Sequence, residues 1–110
     1  MKLQARKDGR FEVIGVSGSA DAQASGLLKR ALLDAIEGGS TRIICDLSDA
    51  DFICSDALGA LIIAYLKARG RGGCLRLANP QLNLREILET TRLNRLFEVY
   101  ATVDQAVARK

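Results

Sequence analysis

Residues 50–70 read ADFICSDALGALIIAYLKARG, and how this stretch folds decides the rest. It opens among Asp49, Asp51 and Asp56, closes on Arg69-Gly70-Arg71-Gly72-Gly73, and carries apolar side chains at helical spacing between. Leu58, Leu61, Ile62 and Tyr65 follow the i, i+3, i+4, i+7 rule, so the spacing predicts a helix from about Ser55 to Arg69 with this stripe packed on a sheet. At about 100° per residue, Gly59, Ala60, Ile63 and Lys67 then point away from the stripe. That outward face is small and apolar with a single charge, which marks a contact surface. Ser55 stands where the helix leaves its first N–H groups unpaired, and a side-chain oxygen there is expected to cap one of them for about 1 kcal/mol. The same free N–H groups and the positive end of the helix dipole also suit a phosphoryl group.

Outward from this helix the chain alternates strands and helices. Upstream, Arg42-Ile43-Ile44-Cys45-Asp46-Leu47 is an apolar run without alternation, the pattern of a central strand covered on both faces. Phe11-Glu12-Val13-Ile14-Gly15-Val16 reads as another strand, and Leu3 to Lys7 pairs with it across Asp8-Gly9. Between them Leu27, Leu28, Ala31, Leu32, Ala35 and Ile36 repeat at helical spacing, with Ser19 or Asp21 as the cap and Gly38-Gly39 as the stop. Downstream, Cys74 to Ala78 is a strand, Leu84, Ile87 and Leu88 a helix, Phe97 to Ala101 a short strand, and Thr102 with Gln105 the capping box of a last helix. Strands separated by helices predict an α/β fold with helical crossovers.

Composition narrows the function. With 110 residues the chain is expected to form one domain spanning residues 1–110, and 48% hydrophobic and 26% charged residues fit an ordinary globular protein. There is no His, so Ser-His and Cys-His nucleophile pairs are excluded, and no catalytic residue, cofactor or metal site is expected. Cys45, Cys54 and Cys74 are odd in number, lie in or beside apolar segments and form no C-x-x-C pair, so they read as buried free thiols. No apolar run approaches the roughly 18 residues of a membrane span, so a cytoplasmic protein without membrane insertion is expected. Lys and Arg against Asp and Glu number 7 to 8 in residues 1–55 and 9 to 5 in residues 56–110. The later arginines, among them Arg69, Arg71, Arg76 and Arg85, are scattered and read as a solvated face, with no nucleic-acid partner implied. The Gly- and Ser-rich residues 15–26 lack the Lys of a phosphate loop. Asp46, Asp49 and Asp51 lack the acidic pair and late Lys that a phosphoacceptor receiver domain requires.

The segment Asp51-Phe52-Ile53-Cys54-Ser55-Asp56-Ala57-Leu58-Gly59, the tail from Arg92 to Val107 and the order of elements together resemble a STAS domain of the anti-sigma factor antagonist family. The resemblance covers nearly the whole chain. It implies a mixed sheet of four to five strands with about four helices. In that family the loop before the helix reads Asp-Ser-Ser/Thr-Gly-Leu-Gly, and the serine after the Asp is phosphorylated by a partner kinase that is also the anti-sigma factor. Ser55 takes that position, with Leu58 and Gly59 in the matching places. Cys54 stands where the family has Asp, Asp56 where it has Ser or Thr, and Ala57 where it has Gly, so a carboxylate has moved to the other side of the serine. The implied partners are a GHKL-type serine kinase/anti-sigma factor and a PP2C-type phosphatase, meeting a surface of Cys54, Ser55, Asp56, Gly59, Ala60 and Ile63. The alternative is a STAS accessory subunit that docks the same helix on a membrane transporter ATPase without a phosphoswitch.

Overall fold

In the computed structural model, which describes residues 1–109, the first two strands, β1 (Lys2–Asp8) and β2 (Phe11–Ala20), form an antiparallel hairpin. Asp8 pairs with Phe11, so the turn consists of Gly9 and Arg10, and Gly9 takes φ 61°, a conformation open to glycine at little steric cost. From β2 onward every strand runs parallel to its neighbour: β3 (Arg42–Ile53), β4 (Cys74–Ala78) and β5 (Glu98–Tyr100). The sheet order follows the chain, β1-β2-β3-β4-β5. Parallel neighbours require crossovers, supplied by α1 (Ser25–Glu37), α2 (Ser55–Gly70) and α3 (Leu82–Thr90), while α4 (Val103–Ala108) follows the last strand. The sheet of five strands with four helices is the α/β architecture expected from the sequence.

Strand alternation divides the core in two. Ile14, Val16, Ile43, Cys45, Leu47, Leu75 and Leu77 face α1, α2 and α3, meeting Leu28, Leu32, Ile36, Leu61, Leu84 and Leu88 in the main core. Phe11, Val13, Ile44 and Ala78 face the other way and pack under α4 through Ala106. Because α4 has only six residues, it covers one end of that face and leaves the remainder open.

Two sequence expectations are corrected. Arg76 is not solvated: it is buried in β4, donating from Nη1 to the carbonyls of Ala106 at 2.6 Å and Arg109 at 2.7 Å. Its guanidinium lies 5.0 Å from the Phe11 ring centre, and so ties the last helix to the sheet. The cap of α1 is neither Ser19 nor a direct Asp21 contact: Ser19 lies within β2 and the cap residue is Ala24. Asp21 accepts instead from the Ala24 N–H at 2.9 Å, holding the turn that feeds the helix. The capping box at Thr102 does form, its hydroxyl accepting from the Gln105 N–H at 3.1 Å.

The chain passes from α2 into β4 at Gly73, where any Cβ would collide with the Thr41 carbonyl. That carbonyl also accepts the Cys74 N–H at 2.9 Å, so it is not free to retreat. Gly73→Ala is therefore expected to cost about 2 kcal/mol or more in urea unfolding; an unchanged midpoint would contradict this close approach. The three cysteines are free thiols, Cys45 buried and Cys54 and Cys74 half-buried. Burial, reinforced by the Asp46 carboxylate, pushes the Cys45 thiol from 9.0 up to about 12. The unfolded thiol ionises first, so this group lowers folding stability as pH rises between those values and contributes no pH dependence below them. Native Cys45 is expected to resist iodoacetamide at mildly alkaline pH and to react once urea unfolds the chain, measured by mass spectrometry.

Candidate functional site

Ser55 owes its position to the long pairing of β2 with β3. That ladder continues to Ser19↔Phe52 and Ala20↔Ile53, with register shifts after Gly15 and Gly18. It ends where the Cys54 N–H donates to the Ala20 carbonyl at 3.0 Å. The next residue, Ser55, begins α2. Cys54 takes the cap position in an extended conformation, and the first helical bond runs from the Leu58 N–H to the Cys54 carbonyl. The expectation that Ser55 caps the helix is thus corrected: it is the first helical residue, and no side-chain hydrogen bond caps this end. Its hydroxyl lies exposed beside the amides of Ser55, Asp56 and Ala57, which precede that first bond.

The buried arc of α2 is wider than the expected stripe. Leu58, Leu61 and Tyr65 are buried and Ile62 partly so, but Ala57, Ala60, Ala64 and Ala68 are buried as well. These alanines turn the buried side toward α1, which packs along the helix. Ala60, expected to point outward, is only 3% exposed for this reason. On the other flank Tyr65 meets Phe97 edge-to-face, with ring centres 5.5 Å apart, and accepts from Arg69 Nη1 at 2.8 Å.

What remains outward is Ser55, half-buried Gly59, Ile63 and Leu66, with the charged residues Asp56, Lys67 and Arg69 exposed beside them. Ile63 is 42% and Leu66 59% exposed, large apolar side chains in water with nothing covering them. Leu66 was missed by sequence reasoning, although apolar residues occur nearly all round this helix and some had to face solvent. At its start, this outward side of α2 borders a hollow of about 360 Å³ between α1 and α2, lined by Ser25, Gly26, Lys29, Ser55, Asp56, Gly59, Ala60 and Ile63. The structure thus brings together five of the six expected surface residues. Cys54 stands apart from this lining, its side chain packed against the main core. A second hollow, of about 720 Å³, opens on the far face of the sheet among Gln4, Arg6, Gly15, Ser17, Asp46 and Ser48, beyond the reach of α4. Among the described residues no helix is long and apolar enough to cross a membrane.

Helix α2 thus starts at the tip of the parallel β2–β3 ladder, with Ser55 exposed. Residues 2–106 match the family model of the STAS domain. The chain belongs to the STAS domain family. A relative from Thermotoga neapolitana, named as an anti-sigma factor antagonist, is 28% identical over 82 residues, covering 74% of this chain and 73% of its own. The fold is shared with the crystal structure of a Thermotoga maritima protein also named as an anti-sigma factor antagonist, at TM-score 0.91, 22% identity and coverage of 96% of this chain and 91% of that one. It is shared too with the anti-sigma factor antagonist SpoIIAA in its unphosphorylated form, at TM-score 0.83, 23% identity and coverage of 96% and 93%. The phosphorylated form of SpoIIAA, from Bacillus, aligns at TM-score 0.77 with the same 23% identity and covers 96% of both chains.

Because the Ser55 hydroxyl caps nothing, Ser55→Ala is expected to change unfolding free energy by less than about 0.5 kcal/mol, below the roughly 1 kcal/mol of a lost N-cap. A loss of the larger size in urea titration would show that the hydroxyl serves the helix after all.

Proposed function

We propose that this STAS domain is an anti-sigma factor antagonist controlled at Ser55. In its unmodified form it binds a GHKL-type serine kinase that is also an anti-sigma factor, and so frees the sigma factor for transcription. The kinase phosphorylates Ser55 and releases it, and a PP2C-type phosphatase restores the binding form. The protein acts as a binding module in the bacterial cytoplasm, with no reaction of its own.

One observation carries this reading: an exposed serine hydroxyl that caps nothing sits at the head of the outward side of α2, where Ile63 and Leu66 are exposed. Gly59, Ile63 and Leu66 offer apolar area that a partner can cover, and Ser55 lies where that partner's active site reaches it. A phosphoryl group adds about −1.5 to −2 charges at the edge of this contact, opposing binding by charge and bulk. Free first-turn amides tolerate that charge, so the modification acts on the complex and leaves the helix intact. The names of the similar proteins, and the existence of SpoIIAA in both phosphorylation states, support the same reading.

Incubation with the cognate kinase and ATP is expected to add one phosphate by intact mass, abolished in Ser55→Ala. Ser55→Asp and Ile63→Asp are each expected to weaken the kinase complex at least tenfold, about 1.4 kcal/mol, while keeping the wild-type unfolding midpoint. A complex that forms without any phosphate transfer, and that Ser55→Asp leaves unchanged, would instead favour docking on a transporter ATPase through the same face.

A further inference from the structure

The hollow between α1 and α2 is lined from α1 by one cationic residue, Lys29, and from α2 by Ser55 and Gly59 among others; Lys29 also borders the neighbouring hollow with Asp34 and Glu37. We propose that Lys29 is the internal partner of a phosphoryl group on Ser55: once modified, Ser55 turns its phosphoryl oxygens into the hollow, where they bond the Lys29 ammonium and occupy the notch beside Gly59 and Ile63. This rests on the phosphorylation of Ser55 proposed above and adds where the phosphoryl group goes.

The geometry supplies the room. The hollow, of about 360 Å³ and open to solvent, leaves room for a phosphoryl group between the helices. Nothing lies within 4 Å of where a Cβ would stand on Gly26 or Gly59, so both walls are open at these points. The charges supply the direction. Lys29 and Asp56 are the two charged residues lining the hollow, one from each helix. Lys29 is exposed and, among the described residues, enters neither of the two ion pairs, Lys7 with Glu12 and Arg76 with Glu98. Its ammonium is therefore available, on a flexible four-carbon stem with three donors. Asp56 lines the same hollow and repels a phosphoryl dianion, so the group settles at the Lys29 end, where the ammonium offsets that repulsion. Phosphorylation then blocks the docking face by filling it, in addition to charging it.

The test uses full-length protein with phosphoserine installed at position 55 during translation, as wild type, Lys29→Gln and Lys29→Arg. Titration by 31P NMR reads the second ionisation of the phosphate, near pH 6 when unperturbed. Lys29→Gln is expected to raise that value by about half a unit relative to wild type, and Lys29→Arg to keep it low. Alkaline phosphatase is expected to remove the phosphate several-fold faster from Lys29→Gln. Equal titration midpoints in all three proteins would overturn the proposal. Installing the phosphate bypasses the kinase, so this result is independent of whether any kinase modifies Ser55. A Lys29-dependent shift together with undiminished partner binding would uphold this proposal and sink the functional one.

Discussion

The parallel pairing of β2 with β3 is the constraint on which the rest depends. It carries the two strands past their apolar centres through Ser17, Gly18 and Ser19 on one side and Ser48, Asp49 and Asp51 on the other. Its last bond, from the Cys54 N–H to the Ala20 carbonyl, fixes where the chain leaves the sheet. Backbone hydrogen bonding thus sets the start of α2 to a residue, and burial of Leu58, Leu61 and Tyr65 sets its rotation. With both fixed, Ser55 has no choice but to face solvent.

The apolar residues of α2 are more than the sheet can cover. The sheet and α1 take the arc from Ala57 through Ala60, Ala64 and Ala68, and the neighbourhood of Phe97 takes Tyr65. Ile63 and Leu66 are left outside, where a solvated helix would carry charge. The opposite face of the sheet resolves its own coverage differently. There a six-residue helix is held by the carbonyl contacts of Arg76, and the uncovered strand ends are polar. The outward side of α2 therefore carries exposed apolar area, and Ser55 lies at its head.

Much of this was legible in the sequence. All five strands and four helices were located, most by apolar periodicity, β3 by its unbroken apolar run and α4 by the capping box at Thr102 and Gln105. The outer halves of β2 and β3 were not legible, since Ser, Gly and Asp there read as loop and the pairing that makes them strand comes from the neighbouring chain segment. Ser55 was found but misassigned as a cap, because the difference between cap and first helical residue rests on the Ala20 bond, which no local pattern records. Ala60 and Lys29 depended on where α1 packs, and Arg76 on the return of α4 beneath the sheet. Both are tertiary facts, and single-helix periodicity cannot rank one outward flank above another.

The partner is proposed to bind the outward face of α2, headed by Ser55. The most direct measurement is titration of the 15N-labelled unmodified protein with its cognate kinase, following backbone amide shifts residue by residue. The largest changes are expected in residues 55–66 of α2 and 25–29 of α1. Changes confined to the polar hollow of β1, β2 and β3 on the far face, with α2 silent, would contradict binding at the outward face of α2.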